Sequence, residues 1–338
     1  MLNHKDLQKL EYLRHESLFA GTTVGNQEWV KVKVSNEGSA LNAKMRLKGG
    51  TADEHVEDQK WSFRINIKGD NTLFGMKEFA VMSPMRRNLL GEWFIRKVFE
   101  KEGLIARKYE FIEVVINGKS KGIYVIDERY DNVMLERNHR KNGPVIKIDS
   151  TPIFVDKIDQ NPSERDNYYL SMDFTAFNLK DFMQDEQLKK HFFNAKELME
   201  EFRLGLLTTS QIFDIEKLAK WTAISDVMGA WHGFGFSNMR FYFNPVTTLL
   251  EPIGYDSNVA RNIERYGGMI TSPNNAYHSA IFIKSGVVTN LFNSDEFYTL
   301  YIRELKRMTE KNYIPSLFAT IRKELNNNLA ILYKEYPY

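Results

Sequence analysis

The chain has no cysteine in its 338 residues. That excludes disulfides, thiolate metal sites and a cysteine nucleophile, and it leaves the redox compartment open, since a chain without thiols survives in either. It has no run of about eighteen or more apolar residues, so no membrane span is expected. Its opening, "MLNHKDLQKLEYLRHESLFAG", is charged and lacks the apolar centre of a signal peptide, which points to a cytoplasmic address. It has almost no excess of either charge: 46 basic residues stand against 44 acidic ones, a formal net charge of +2. The whole chain therefore lacks a polyanion-binding signature, although a balanced total leaves room for a local basic patch. The runs "MRRNLL" and "RNHRK" read as solvated faces, and no nucleic-acid partner is expected. There is no internal repeat, no low-complexity tract, and no HExxH, nucleophile elbow or Walker loop, which removes the common hydrolase and P-loop readings.

What is present suits a globular protein: 43% hydrophobic residues, 27% charged, and 23 Phe, 16 Tyr and 5 Trp. That length and apolar content support a large core in two lobes. Alternating patterns predict strands in "EWVKVKVS", "AKMRLKGG" and "KWSFRINIKG", the last two joined by the polar segment 51–59. A helix is predicted over about residues 87–102, with Leu89, Leu90, Trp93, Phe94, Val98 and Phe99 on one face and Gly103 as its stop. Two further strands, "KYEFIEVVING" and "SKGIYVIDE", meet at Asn117-Gly118, a strong hairpin signal because both residues tolerate positive φ. Residues 1–130 thus read as a sheet-rich lobe of order β-β-β-α-β-β. Residues 131–338 read as a mainly helical lobe, with helices near 187–203, 214–231 and 295–335 and a turn-rich loop at "DQNPSERDN". A cleft between two lobes is a favoured place for a ligand.

Several residues could carry chemistry there, and each has a plain structural alternative. Gly49 and Gly50 in "RLKGG" could bring backbone amides to a phosphate, or could simply turn the chain. Lys60, opening a strand, could pair with phosphates or stay solvated. Glu128, where the first lobe ends, could line the cleft or pair with a basic neighbour on the surface. The stretch "SNMRFYFNPVTTLLEPIGYDSN" reads as a hairpin turning at Asn244-Pro245, with Asn238 at its mouth and Asp256 just past its end, 256 − 238 = 18 residues apart. The hairpin would return the two side chains to one place, where they could share a magnesium ion with phosphate oxygens or merely cap turns. His232, in "AWHGFGFSN", could act as a base or pack at a helix end. His55 and His191 show no ligand-like spacing.

The segments "MRLKGG", "QKWSFRINI", "INGKSKGIYVIDERYD" and "NMRFYFNPVTTLLEPIGYD" together, in this order and over roughly residues 30–260, resemble the CotH kinase-like family, named for a bacterial spore-coat protein. The resemblance implies an α+β, atypical protein-kinase-like bilobal fold: an antiparallel sheet N-lobe with one helix, and a mainly helical C-lobe carrying a metal-site hairpin. It implies phosphorylation of a protein Ser/Thr, or of another hydroxylated molecule such as a sugar, with ATP and magnesium or manganese. Lys60 would be the nucleotide-phosphate lysine and Arg46 a phosphate contact. Glu128 matches a recurrent acidic position that faces the nucleotide or braces the lobes. Asn238 and Asp256 would be the metal ligands. It also admits the cell surface or a spore coat as the protein's address.

The chain departs from the kinase pattern at one position. A catalytic Asp precedes the metal-binding Asn by five residues in H-R-D-x-x-x-x-N. Here position 233 is Gly, and no carboxylate lies between Asp226 and Asn238. His232 is the nearest group able to orient a hydroxyl. The departure motivates a second reading, a catalytically impaired pseudokinase acting as a binding or scaffold protein. A third is a nucleotidyl transferase using the same lysine and metal.

Overall fold

The computed structural model of the chain describes residues 1–23, 27–38, 40–49, 55–56, 60–149, 172–235, 238–257 and 290–337. Its first half builds a six-stranded antiparallel sheet from β1 (Val30–Val34), β2 (Leu41–Leu47), β3 (Phe63–Ile67), β4 (Glu78–Met82), β5 (Tyr109–Ile116) and β6 (Lys119–Glu128), in the order β1-β2-β3-β4-β6-β5. The alternation in the sequence is an alternation of faces. Met45 pairs with Ile65 on the apolar face, and Arg46 pairs with Arg64 on the other. The turn between β5 and β6 is Asn117-Gly118, both at positive φ, as the dipeptide predicts.

Two elements of this half were not expected from the sequence. Helix α1 (His4–Ala20) covers the apolar face of the sheet with Leu10 and Leu13. Its apolar stripe is thin among charged residues, but its ends are specified: Asn3 Oδ1 accepts from Asp6 N at 2.8 Å, and Gly21 closes it in the left-handed conformation. Strand β4, "EFAVM", was missed because it lies between β3 and β6 and is buried almost throughout, so it shows no period of two. The order is therefore β-β-β-β-α-β-β, with α2 (Leu90–Lys101) following β4.

The second half carries α3 (Asn132–Arg137), β7 (Val145–Ile148), β8 (Phe174–Ala176), α4 (Glu186–Arg203), α5 (Ile215–Val227), β9 (Phe241–Phe243), β10 (Leu250–Pro252), α6 (Asp295–Met308) and α7 (Tyr313–Leu332). The expected hairpin is β9–β10, and it belongs to a larger unit, an antiparallel sheet of order β10-β9-β7-β8. The long terminal helix expected over 295–335 is two helices. Pro315 fits only the first turn of a helix, so α7 starts afresh just before it. The fold is thus α+β, an antiparallel sheet followed by a mainly helical half with a second small sheet. One apolar cluster runs from Phe111 and Val125 through Trp93, Val98 and Phe99 of α2 to α4, α5, α6 and α7. Among the described residues no helix is long and apolar enough to cross a membrane. The predicted loop "DQNPSERDN" and the segment "RNIERYGGMITSPNNAYHSA" lie outside the described residues.

Candidate functional site

The β9–β10 hairpin delivers the chain to the site along Ile253-Gly254-Tyr255-Asp256-Ser257. Ile253 bridges to Ile105 of the first half, and Gly254 lies against α2 so closely that a Cβ there would sit 2.2 Å from the Phe99 ring. Only glycine lets this segment reach the sheet and α2 together. Asp256 follows in the left-handed region at φ 49, a conformation that Asp tolerates better than most residues. Ser257 then donates its backbone N–H to Glu92 Oε2 of α2 at 3.0 Å.

His232, Asn238 and Asp256 come together here. His232 lies on a 3-10 turn, Trp231–Phe234, that follows α5. Its Nδ1 lies 2.7 Å from the Asp256 carbonyl oxygen. A carbonyl only accepts, so Nδ1 carries the proton, and Nε2 is the acceptor nitrogen of the neutral ring. Asn238 Nδ2 donates to the His232 carbonyl at 3.1 Å, which leaves its Oδ1 as an oxygen donor for a ligand. Asp256 is 8% exposed, and its buried Oδ1 has no hydrogen-bond partner. His232 Nδ1 stands 3.6 Å from that oxygen. Arg87 Nε stands 3.1 Å away as an ion pair, but out of hydrogen-bond alignment. "MRRNLL" is therefore not wholly a solvated face: one of its arginines balances Asp256.

The other expected residues lie apart from this group. Lys60 Nζ donates to the Ile123 carbonyl at 2.7 Å and is gripped by Glu335, 2.7 Å from Oε1 and 2.9 Å from Oε2, with the Tyr124 ring 4.8 Å away. Gly122 makes room for that grip, since a Cβ there would lie 2.2 Å from Glu335 Oε2. Glu128 is in register with Phe79, on the apolar side of the sheet. Its carboxylate accepts from Lys108 N at 2.7 Å and pairs with Arg137 of α3. Of the two roles left open for Glu128, these contacts are those of a brace. Arg137, with Arg140 bound to Glu251 at 2.7 Å, also takes "RNHRK" out of the class of solvated charge runs. Arg46 reaches the Gln27 side chain, donates to the Leu47 carbonyl at 3.0 Å and lies over the Trp29 ring. Gly49 has φ 124, which requires glycine, and Gly50 lies outside the described residues. Asp226 accepts from the Tyr301 hydroxyl of α6.

On the opposite face of the sheet from Glu128 stands Asp127, one position earlier, buried, and in the same register row as Arg46, Arg64 and Ala80. Arg96 of α2 and Arg107 each stand 2.9 Å from its Oδ1, and Arg96 also holds Glu92 at 2.8 Å. Burial alone would raise the Asp127 carboxyl, but Arg107, Arg96 and Lys48 outweigh it and hold it well below the usual carboxylate range. Arg107 packs its guanidinium over Tyr130 and Tyr255, 4.5 and 4.9 Å from the ring centres. The register parity from Arg64 was the one available signal for Asp127. Nothing local distinguishes Glu92, Arg96 or Arg107.

Further cations stand on both sheets. Arg64 and Arg129 share Glu78, at 3.9 and 2.7 Å. Arg240 and Lys147 both lie over the Phe177 ring, at 5.5 and 5.7 Å, and Arg240 lies over Tyr255 at 4.8 Å. Burial, then the neighbouring Arg64, pushes Arg46 down to about 10. Burial and then Arg129 lower Arg64, with Glu78 and Asp127 opposing. Burial and then Arg240 lower Lys147, with Asp149 opposing.

Among the described residues no three His, Asp or Glu side chains are grouped to hold a metal by themselves. The donors at Asn238 and Asp256 are hard oxygens, and Asp256 Oδ1 is buried without a hydrogen bond, so the pair fits an ion such as magnesium that takes its other ligands from phosphate and water. No match is found among curated proteins. A family model described as "CotH kinase protein" matches residues 45–338, and the chain belongs to that family.

Proposed function

We propose that the protein is an ATP- and magnesium-dependent phosphotransferase that moves the γ-phosphoryl group to a hydroxyl of a protein or small-molecule acceptor. The observation that carries this reading is the buried Asp256 Oδ1, which accepts no hydrogen bond and is balanced only as an ion pair by Arg87, with Asn238 and His232 brought beside it by the hairpin and the turn before it. In the reaction the bond between the γ-phosphorus and the β,γ-bridging oxygen breaks, and a bond to the acceptor oxygen forms. ADP leaves, and the acceptor proton goes to His232 Nε2. Magnesium, when bound through Asn238 and Asp256, supplies charge neutralisation on the phosphate oxygens. Arg87 balances the Asp256 charge, and Glu92 fixes the backbone after it. Phosphoryl transfer depends mainly on positioning and electrostatics, and in this reading His232 takes the orienting role of the usual Asp. Lys60 would reach phosphates only by exchanging Glu335 for them.

A pseudokinase reading rests on Gly233. A Cβ at that position would stand 3.1 Å from the Tyr255 carbonyl, so the backbone is closed up where the catalytic Asp of a kinase would stand. Calorimetric titration with ATP, with and without magnesium, tests the first reading. Binding that needs the metal and disappears in Asp256→Ala supports it. Affinity unchanged in that variant removes the metal role. Intact-mass analysis of candidate acceptors then separates phosphate transfer, AMP transfer and no turnover.

A further inference from the structure

The ion pair at Asp256 is an unusual one. The side chains of Arg87 and Asp256 are each 12% exposed, and Nε of the one stands 3.1 Å from Oδ1 of the other. Yet neither atom has a hydrogen-bond partner. The two meet charge to charge, without the aligned N–H···O bonds that make an arginine–carboxylate pair firm. Such a pair is open to exchange for a ligand that suits the carboxylate better.

The backbone is bent to place Arg87 there. Arg87 ends the 3-10 turn Pro84–Arg87, and the next two residues, Asn88 and Leu89, both have positive φ, 54 and 52. Asn tolerates that region, whereas a leucine there, with ψ −106, is strained. The Leu89 N–H donates to the Pro84 carbonyl at 2.9 Å, and α2 begins at the following residue. Strain of this kind persists where the surroundings fix a group for use. Here one end of the strained link delivers Arg87 to Asp256, and the other delivers Glu92 to the N–H of Ser257.

A divalent ion on Asp256 Oδ1 would share that oxygen with the Arg87 charge. The two cations would stand a few ångströms apart and repel, whatever other group Arg87 meets. The Asn238 side chain is neutral, so Arg87 cancels the charge that Asp256 brings, and a bare ion gains little. Phosphate oxygens on the metal reverse the balance, because they bring negative charge that the metal and Arg87 can share.

We infer that Arg87 is a selectivity residue, which disfavours a free divalent ion at Asn238 and Asp256 and favours a metal that already carries phosphate. The inference rests on the phosphotransfer reading for its ligand and adds the order of entry: metal and nucleotide arrive together.

The test measures manganese binding to the full chain by calorimetry, alone and with a non-hydrolysable ATP analogue, in the parent, Arg87→Gln and Arg87→Lys. Gln keeps an amide donor without the charge, and Lys keeps the charge. The parent should bind manganese alone weakly. Arg87→Gln should bind manganese alone about tenfold or more tightly than the parent, since a unit charge ~5 Å from a divalent ion is worth at least that even at the dielectric of water. The extra metal affinity that the analogue brings should shrink in Arg87→Gln, because the repulsion it relieved is gone. Arg87→Lys should behave like the parent, a rescue that a purely structural role would not give. Adding Asp256→Asn to Arg87→Gln should abolish the gain, which assigns the ion to Asp256. Manganese affinity unchanged or lowered in Arg87→Gln overturns the inference. So does tight binding of manganese alone by the parent, a measurement that needs no variant to fold. Equal gains in Arg87→Gln and Arg87→Lys would show shape rather than charge at work and overturn it as well. If Arg87→Gln gains manganese affinity through Asp256 but no protein binds the analogue, the phosphotransfer reading fails and the role of Arg87 toward the metal stands.

Discussion

The backbone N–H of Ser257 is held at 3.0 Å by Glu92 Oε2, 165 residues earlier in the chain. Glu92 is fully buried and binds Arg96 through its other oxygen. One carboxylate thus ties α2 to the segment that presents Asp256, and through Arg96 to Asp127 of the sheet.

Glu92→Ala removes both bonds and leaves Arg96 with half its counter-charge. A cost of about 3–5 kcal/mol is expected for breaking a buried pair on one side. Glu92→Gln keeps an acceptor for Ser257 and should preserve slow exchange of its amide. Hydrogen exchange of a peptide covering residues 254–257 checks this: fast exchange in the alanine variant and slow in the glutamine one is the expected contrast. Equal exchange in both would mean that Glu92 does not hold the segment.

His232→Gln should lower kcat about a hundredfold, the lower range for loss of a general base, with nucleotide affinity little changed. Turnover unchanged in the variant would remove His232 from the proton transfer.

Asp127 makes stability depend on acid in a defined direction. Unfolded, its carboxyl takes up a proton near pH ~3.9. Folded, Arg107 and Arg96 keep it ionised below that. As pH falls, the unfolded state binds a proton that the folded state refuses, so this stability is full above about pH 5 and declines through pH 4. Urea midpoints measured from pH 6 to pH 3 should fall in the parent and fall less steeply in Asp127→Asn. Identical slopes would contradict the assignment.

Lys60 and Glu335 should behave as one structural unit. Lys60→Ala and Glu335→Ala each leave a partner in a poorly hydrated place, and the double variant should be more stable than the sum of the two losses predicts, by about 0.5–3 kcal/mol. Additive losses in a denaturation cycle would show that the grip contributes nothing. Because Lys60→Ala also disturbs the packing beside Gly122, its effect on nucleotide affinity has to be compared at temperatures where both proteins are fully folded.

Much of the frame was legible in order along the chain. "FRINI" and "AKMRL" announced their two faces, Asn117-Gly118 announced a hairpin, and Asn238 and Asp256 could be paired because the hairpin joining them is local. Period, turn chemistry and short spacing depend only on neighbours a few residues away, and these determined most of the strands and helices and the pairing of Asn238 with Asp256. Strand β4 escaped because burial on both faces erases the period, and α1 because its apolar stripe is sparse. What charges do was decided elsewhere. Whether Arg87 faces water or Asp256, whether Lys60 meets a phosphate or Glu335 across 275 residues, and whether Asp127 or Glu128 meets Arg96 and Arg107 depend on which elements pack together. Sequence by itself determined that the chain has balanced charge. Only the tertiary structure set Arg46 beside Arg64 and brought Arg64 and Arg129 to the same Glu78, because long-range packing chooses the partners and the dielectric in which each charge stands.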